Sequence, residues 1–154
     1  MTPTPVFPQT PTVWAGNIIS TQAAYTLPTT NVTTFTNLAA IVPASTNGVL
    51  IEGITLTSTE PTTAYTVIFV VGTGASGTGN QVPFAAISVP ATAGTSASVP
   101  SVSLFSSTAT PGLPVDANNN RFLYLPPTYI LYVGVPVAIS SSGVVSVFVH
   151  GAQF

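Results

Sequence analysis

The hydrophobic residues of this chain fall into short runs that are rich in Val, Ile and Thr. β-Branched residues lose rotamer freedom in a helix and pack well on a pleated sheet, so these runs favour strands. No window shows a convincing apolar period of about 3.6 residues, which an amphipathic helix would require. We therefore predict nine strands and no helix. The predicted strands cover residues 17–25, 32–38, 48–58, 64–71, 84–89, 97–105, 121–125, 130–139 and 144–150.

Pro, Gly and Asn separate these runs at regular intervals. Short strands that alternate with turn formers are typical of an all-β protein, and we expect a β-sandwich with a jelly-roll-like arrangement. The final two runs are strongly apolar and are joined by a Ser/Gly turn, which predicts a hairpin. The Gly-rich stretch Gly72–Asn80 predicts another hairpin loop, at one end of the sandwich.

The first residues form a segment of a different kind. Prolines at positions 3, 5, 8 and 11 fix φ and remove backbone donors, which favours an extended arm over an internal strand. We assign residues 1–15 to this N-terminal arm and residues 16–154 to a single β-sandwich domain. Phe7 and Trp14 are candidate anchors of the arm on a neighbouring subunit, because aromatic residues dominate interface hot spots. The alternative for Trp14 is a place in the first strand, packed into its own sandwich.

Charged residues are rare in this chain. Asp, Glu, Lys and Arg make up 3% of the 154 residues, against about 25% in ordinary soluble domains. Arg121 is the only Lys or Arg, so a basic surface for nucleic acid is excluded. The 45% of hydrophobic residues is too high for a disordered chain. No apolar run approaches the roughly 20 residues of a membrane-spanning helix, so we expect no membrane partner.

The sequence also lacks the residue patterns that enzymes use for catalysis and metal binding. His150 is the only imidazole, and no Gly-x-Ser-x-Gly turn exposes a serine for it to activate. One His, three acids and no Cys cannot supply a clustered zinc or calcium site. Residues 72–77 have the Gly-x-Gly-x-x-Gly spacing of a dinucleotide site, but the residues that follow cannot open the helix that such a site needs. We expect a non-enzymatic protein without cofactor or metal.

Asp116 and Arg121 flank an Asn-rich turn. Their spacing predicts an ion pair, either within the turn or between subunits, where it would set the register of an assembly. The nearly uncharged surface suits burial in such an assembly, because little charge has to be desolvated. Closed symmetric oligomers also cover the exposed edges of a sandwich, so we expect the chain to bind further copies of itself.

Two segments resemble small structural proteins of tailed bacteriophages. One is residues 46–71, which begin Thr-Asn-Gly-Val-Leu-Ile-Glu-Gly-Ile-Thr; the other is the ending, from Phe122-Leu-Tyr-Leu-Pro-Pro through a Ser/Gly turn to His-Gly-Ala-Gln-Phe154. The resemblance implies a virion protein on the capsid surface. Its expected role is a capsid decoration (cement) protein that forms a homotrimer and binds the major capsid protein or another virion protein. A tail-associated virion protein is the alternative within this class.

A binding module is the alternative from another class. Tyr124, Tyr129 and Tyr132, together with the amides of Asn118–Asn120, would then recognise a carbohydrate or a host surface. Pairs of the form Thr-x-Thr also place hydroxyls on one strand face, as on an ice-binding surface. The chain has no repeat of fixed period that would stack these pairs in register.

Overall fold

The structure, a computed structural model, describes residues 10–19, 23–26, 35–75, 80–106, 109–110, 112–140 and 142–154. Within these ranges it contains nine strands and no helix. The strands are β1 (Thr10–Ile19), β2 (Ala39–Val42), β3 (Val49–Ser58), β4 (Tyr65–Thr73), β5 (Gln81–Val89), β6 (Val102–Ser103), β7 (Leu123–Leu125), β8 (Tyr129–Gly134) and β9 (Val144–Gln153). The expected all-β fold is confirmed.

The strands form two sheets. The first sheet has the order β1-β9-β3-β6, with β7 also pairing with β3, and the second has the order β2-β8-β4-β5. All of these pairings are antiparallel. Side chains from both sheets pack into one hydrophobic core, so the architecture is the expected β-sandwich.

Alternation along the strands produces the core. In β9, Val145, Val147 and Val149 are buried between the sheets. The residues that alternate with them, among them Phe148 and His150, reach the outer face, because successive side chains of a strand point to opposite sides. Each fully buried valine stabilises the fold by roughly 1.5–3 kcal/mol relative to an exposed one.

The second sheet is covered on its outer face as well. Ile68, Val70 and Tyr132 form a second hydrophobic cluster with Phe35, which precedes β2. The buried side chain of Gln81 accepts the backbone N–H of Phe35 at 2.6 Å. Phe35, close before β2, is therefore fixed against the sheet by apolar packing and by one hydrogen bond.

The strand pairs are nested along the chain. β1 pairs with β9, β2 with β8, β3 with both β6 and β7, and β4 with β5, so the chain is arranged like one long hairpin. The β4–β5 pairing confirms the hairpin predicted around the Gly-rich stretch, of which residues 76–79 lie outside the described ranges. The hairpin predicted for the last two strands is wrong, because β8 belongs to the second sheet and β9 to the first.

The first strand begins earlier than predicted. β1 starts at Thr10, so residues 10–15, which the sequence assigns to the arm, pair with β9. Pro11 fits there because β1 is an edge strand, where one side of the backbone needs no donor. Residues 1–9 lie outside the described ranges.

The second strand begins later than predicted. It is expected at 32–38 but lies at Ala39–Val42, and residues 32–34 are outside the part that the structure describes. Asn37 has a φ of 59°, a left-handed conformation that interrupts an extended strand. Phe35 of the predicted strand is a member of the outer cluster instead.

Candidate functional site

The acidic, basic and imidazole side chains of this chain gather at one place. There are five Arg, Asp, Glu or His residues in the sequence. Four of them line a single groove of about 490 Å³, and the fifth, Glu60, is buried outside it with 2% of its surface exposed. The groove is lined by Leu50, Glu52, Asp116, Asn120, Arg121, Phe122 and His150. One groove thus holds the ionisable side chains of an otherwise uncharged surface.

A β-bulge in β3 contributes the first part of the groove. Ile51 pairs with Gly151 and Gly53 pairs with His150, so Glu52 is the extra residue between two successive pairs. A bulge twists the strand locally and re-aims the side chain at that position. A Cβ at position 53 would overlap the imidazole of His150, so the ring occupies the space that this glycine leaves. The bulge and the glycine together bring the carboxylate and the imidazole into one groove.

A tight turn between β6 and β7 contributes the rest of the charged lining. The Asp116 carboxylate accepts the backbone N–H groups of Asn118 and Asn120, both at 2.8 Å, and the side-chain amide of Asn120 at 3.2 Å. Asn119 has a φ of 64°, which Asn tolerates better than most residues. Hydrogen bonds to the carboxylate, that from the Asn120 backbone above all, lower the pKa of Asp116 from its usual 3.8.

Arg121 follows this turn and is half-buried. Its Nε donates a hydrogen bond to the carbonyl oxygen of Thr110 at 2.9 Å. The hydrogen bonds of Asp116 and Arg121 therefore join each side chain to backbone and amide groups, and none of them joins one to the other. The predicted ion pair between subunits stays a prediction.

The two predicted anchors lie in different parts of the chain. Trp14 is in β1 and is half-buried against the main core, the position that a first-strand residue would take. Phe7 lies outside the described residues. An interface role for either residue stays a prediction.

The structure separates the three tyrosines of the binding-module hypothesis. Tyr132 is buried, with 1% of its surface exposed, and its hydroxyl donates to the carbonyl oxygen of Gly74. Burial raises the pKa of Tyr132. Tyr124 and Tyr129 are exposed, so a sugar site could use those two but not the third.

The groove provides groups for binding. Two carboxylates accept hydrogen bonds, the guanidinium and the Asn120 amide donate them, and the Phe122 ring adds an apolar surface. In the described part of the chain, no group of three or more His, Cys, Asp or Glu residues could hold a metal ion. A search of the same residues for a helix of membrane-spanning length and hydropathy finds none.

Sequence reasoning singled out Asp116 and Arg121 of the groove as partners and missed Glu52 and His150. Glu52 and His150 lie almost a hundred positions apart and meet only through the register of β3 and β9. No local pattern shows that register. The sequence could have pointed to Glu52 and His150 only through their rarity, because each ionisable residue is conspicuous in a nearly uncharged chain.

Comparisons with known proteins place few constraints on the chain. No protein-family model matches it, and no curated protein matches it significantly. A solved structure to which it is similar is the cyanophage Pam1 capsid asymmetric unit, at 19% sequence identity and a TM-score of 0.44. The match covers 100% of this chain and 92% of that chain. A likeness this loose assigns neither a family nor a function.

Proposed function

We propose that this chain is a non-enzymatic structural protein of a tailed-phage virion, a capsid decoration (cement) protein on the surface of the head. It forms a homotrimer and binds the major capsid protein of the shell. Phe7 keeps its proposed place as an anchor on a neighbouring subunit. A position in the tail is the alternative within the same class.

The observation that carries this proposal is the distribution of charge. Outside the groove and the buried Glu60, the chain has no Arg, Asp, Glu, His or Lys side chain. Large apolar side chains are exposed on the neutral surface, among them Val82, Val115, Val137 and Phe148. Such a surface can be buried against other proteins with little cost of desolvating charge, which suits a permanent assembly.

The nested strand pairs support the jelly-roll interpretation of the sandwich. A jelly roll forms when a long hairpin wraps so that its successive strand pairs alternate between two sheets. Here β1/β9 and β3/β6 belong to the first sheet, and β2/β8 and β4/β5 belong to the second. Jelly rolls are frequent in viral capsid proteins and in lectins.

The groove supplies the register of the proposed interface. A neutral surface tolerates small displacements, whereas Arg121 requires an acceptor and Glu52 a donor from the partner at defined positions. Many copies that bind only the assembled shell stabilise it by mass action, since rupture would release them all. This function requires binding and no reaction step.

Binding to undecorated heads of the phage that encodes the chain tests the proposal. We expect saturable co-sedimentation of the purified protein with the heads and a higher temperature of head disruption. R121Q removes the permanent cation of the groove and should weaken binding by about tenfold or more. T63A changes an exposed, uncharged position outside both the groove and the exposed apolar residues, so it should bind like the wild type. A folded wild-type protein that does not bind the heads would refute the proposal.

A carbohydrate-binding module is the second candidate, and the groove is the observation that favours it. Carboxylates, an amide and an aromatic ring in one depression are the groups that sugar sites combine. A glycan array distinguishes the candidates, because a decoration protein should bind no glycan. Saturable glycan binding that E52Q abolishes, without binding to heads, would favour the module.

A further inference from the structure

Three of the four edges of the two sheets carry features that prevent further pairing. β6 and β7 have two and three residues, and β2 has four residues and an irregular register. β5 contains Pro83 and lies opposite a register shift between Phe69 and Val70. Short strands, prolines and bulges are the features by which proteins keep an edge strand from pairing with another chain.

β1 is the fourth edge, and it lacks this protection along most of its length. Its ten residues pair with β9 one to one, without a register shift, and Pro11 at the second position is its only proline. No charged residue interrupts it. Within the described ranges, no strand pairs with its other side. Backbone N–H and C=O groups on that side are therefore placed to bind a further strand.

The exposed side chains of β1 are complementary to themselves. Val13 and Ile19 are its large exposed apolar residues, with 57% and 41% of their surfaces accessible. They share the outer face with Ala15 and Asn17, because all four are separated by even numbers of positions.

Antiparallel pairing of two β1 strands about a two-fold axis through Gly16 sets Val13 of each copy opposite Ile19 of the other. The axis makes two apolar pairs at once. If the two-fold axis passes through the residue before or after Gly16, Val13 and Ile19 no longer lie opposite each other and both apolar pairs are lost. If the axis lies between two residues, residues of the outer face of one copy lie opposite residues of the inner face of the other.

We infer that β1 is a homotypic docking edge, through which two copies of this chain join by antiparallel β1–β1 pairing centred on Gly16. The contact is isologous, since the same strand serves in both copies, and it joins their first sheets into one. On the inner face, the half-buried Trp14 of one copy comes opposite Ile18 of the other. Pairing adds backbone hydrogen bonds and buries the exposed apolar residues, and it desolvates no charged side chain.

This inference is independent of the proposed function. A two-fold contact does not make a trimer, so in an assembly of trimers it would join one trimer to the next. The purified protein is sufficient to test it, and the heads are not needed.

Cysteine cross-linking tests the register directly, because the natural chain contains no cysteine. V13C and I19C proteins are purified separately, mixed, and treated with a short bis-maleimide. We expect a covalent dimer in the mixture and none in either protein alone. In this register, position 13 of one copy lies roughly 20 Å along the strands from position 13 of the other, and the same holds for position 19. A short linker cannot span this distance. Homotypic cross-linking of V13C alone, or no cross-link in the mixture, would refute the pairing.

Charge variants provide the matched control. V13K/I19K sets like charges opposite each other twice and should weaken self-association by about tenfold or more. V13K/I19E introduces the same number of charges but makes both pairs opposite in sign, so it should associate like the wild type. Equal association of the two variants would count against the inference. Trp14 is the only tryptophan, so its fluorescence reports the contact without a label.

The mass from light scattering separates the two proposals. A dimer supports the two-fold contact and argues against the trimer, and a hexamer supports both. A trimer or a monomer that shows no cross-link in the mixture overturns the two-fold contact and leaves the test of head binding unaffected.

Discussion

At the residue scale, Gly53 determines where the imidazole of His150 lies. A Cβ at this position would overlap the ring, but the ring is the exposed end of a side chain and can turn into solvent. We therefore predict that G53A folds, with a free energy of unfolding within about 1 kcal/mol of the wild type. The imidazole resonances of His150 in NMR spectra should shift, because the ring leaves the groove.

G112A is the control for this substitution. Among the described residues other than its chain neighbours, none has an atom within 4 Å of a Cβ built at Gly112, so G112A should change neither the stability nor the His150 resonances. Unchanged resonances in G53A would show that the glycine does not position the ring.

Asp116 makes the turn beside the groove sensitive to acid. Hydrogen bonds lower its pKa in the folded protein, so the ionised carboxylate stabilises the fold at pH values above its unfolded pKa of about 3.8. This contribution is lost as the pH falls through the folded pKa. We predict that the wild type loses thermal stability in this acidic window and that D116N loses less, as measured by circular dichroism.

E52Q is the matched variant, because it removes a carboxylate from the same groove and keeps the hydrogen bonds of the turn. It should retain the acid dependence that Asp116 causes. An identical acid dependence in D116N and the wild type would mean that the turn contributes nothing to it.

At the element scale, the sequence predicted the strands that alternate cleanly and failed where tertiary context decides. β3 and β4 lie within two residues of their predicted bounds, because one run of apolar and polar positions defines each of them. The early start of β1 was not predicted because the strand contains Pro11, which is accommodated only in an edge strand. The sequence cannot show which strand will be an edge.

The pairing of β8 could not be predicted for a similar reason. Its apolar run is continuous because Leu131 and Val133 face the main core while Tyr132 faces the outer cluster. A short connection between apolar runs is typical of a hairpin, but here it crosses between sheets. A strand that is buried on both faces and a strand of a hairpin can both show a continuous apolar run, so the sequence does not distinguish them.

Glu60 connects three of the loops between strands. Its side chain accepts a hydrogen bond from Ser140 in the β8–β9 connection, and its carbonyl oxygen accepts the N–H of Thr92 at 2.8 Å. We predict that E60A lowers the free energy of unfolding by about 1–3 kcal/mol, because it removes the carboxylate that Ser140 binds and leaves empty space at a buried position. Urea unfolding measures this loss.

The control is T62A, whose hydroxyl contacts Glu60 at 3.5 Å from an exposed position. It should change stability by less than about 0.5 kcal/mol. Equal stabilities of E60A and the wild type would exclude the carboxylate as a connection between the loops.

At the scale of the whole molecule, composition showed that the surface is neutral but not where its few charges lie. The gathering of three charged residues and one imidazole in one groove depends on the bulge in β3 and on the turn before β7. These two features are set by strand register and by local hydrogen bonds, and neither appears in a count of residues. The candidate site was therefore predictable in its Asp116–Arg121 half only.

The same scarcity of charge predicts how the whole molecule responds to salt. Sodium chloride screens interactions between charges, and this chain has only five Arg, Asp, Glu and His side chains, of which Glu60 is buried. We predict that its free energy of unfolding changes by less than about 0.5 kcal/mol between about 0.05 and 0.5 M NaCl. Sodium sulfate should still stabilise it, because excluded salts strengthen apolar burial whatever the charge of the protein. A large loss of stability in NaCl that E52Q/R121Q removes would show that charges in the groove stabilise the fold strongly. We expect no such loss if the charges in the groove serve to bind a partner and contribute little to the stability of the fold.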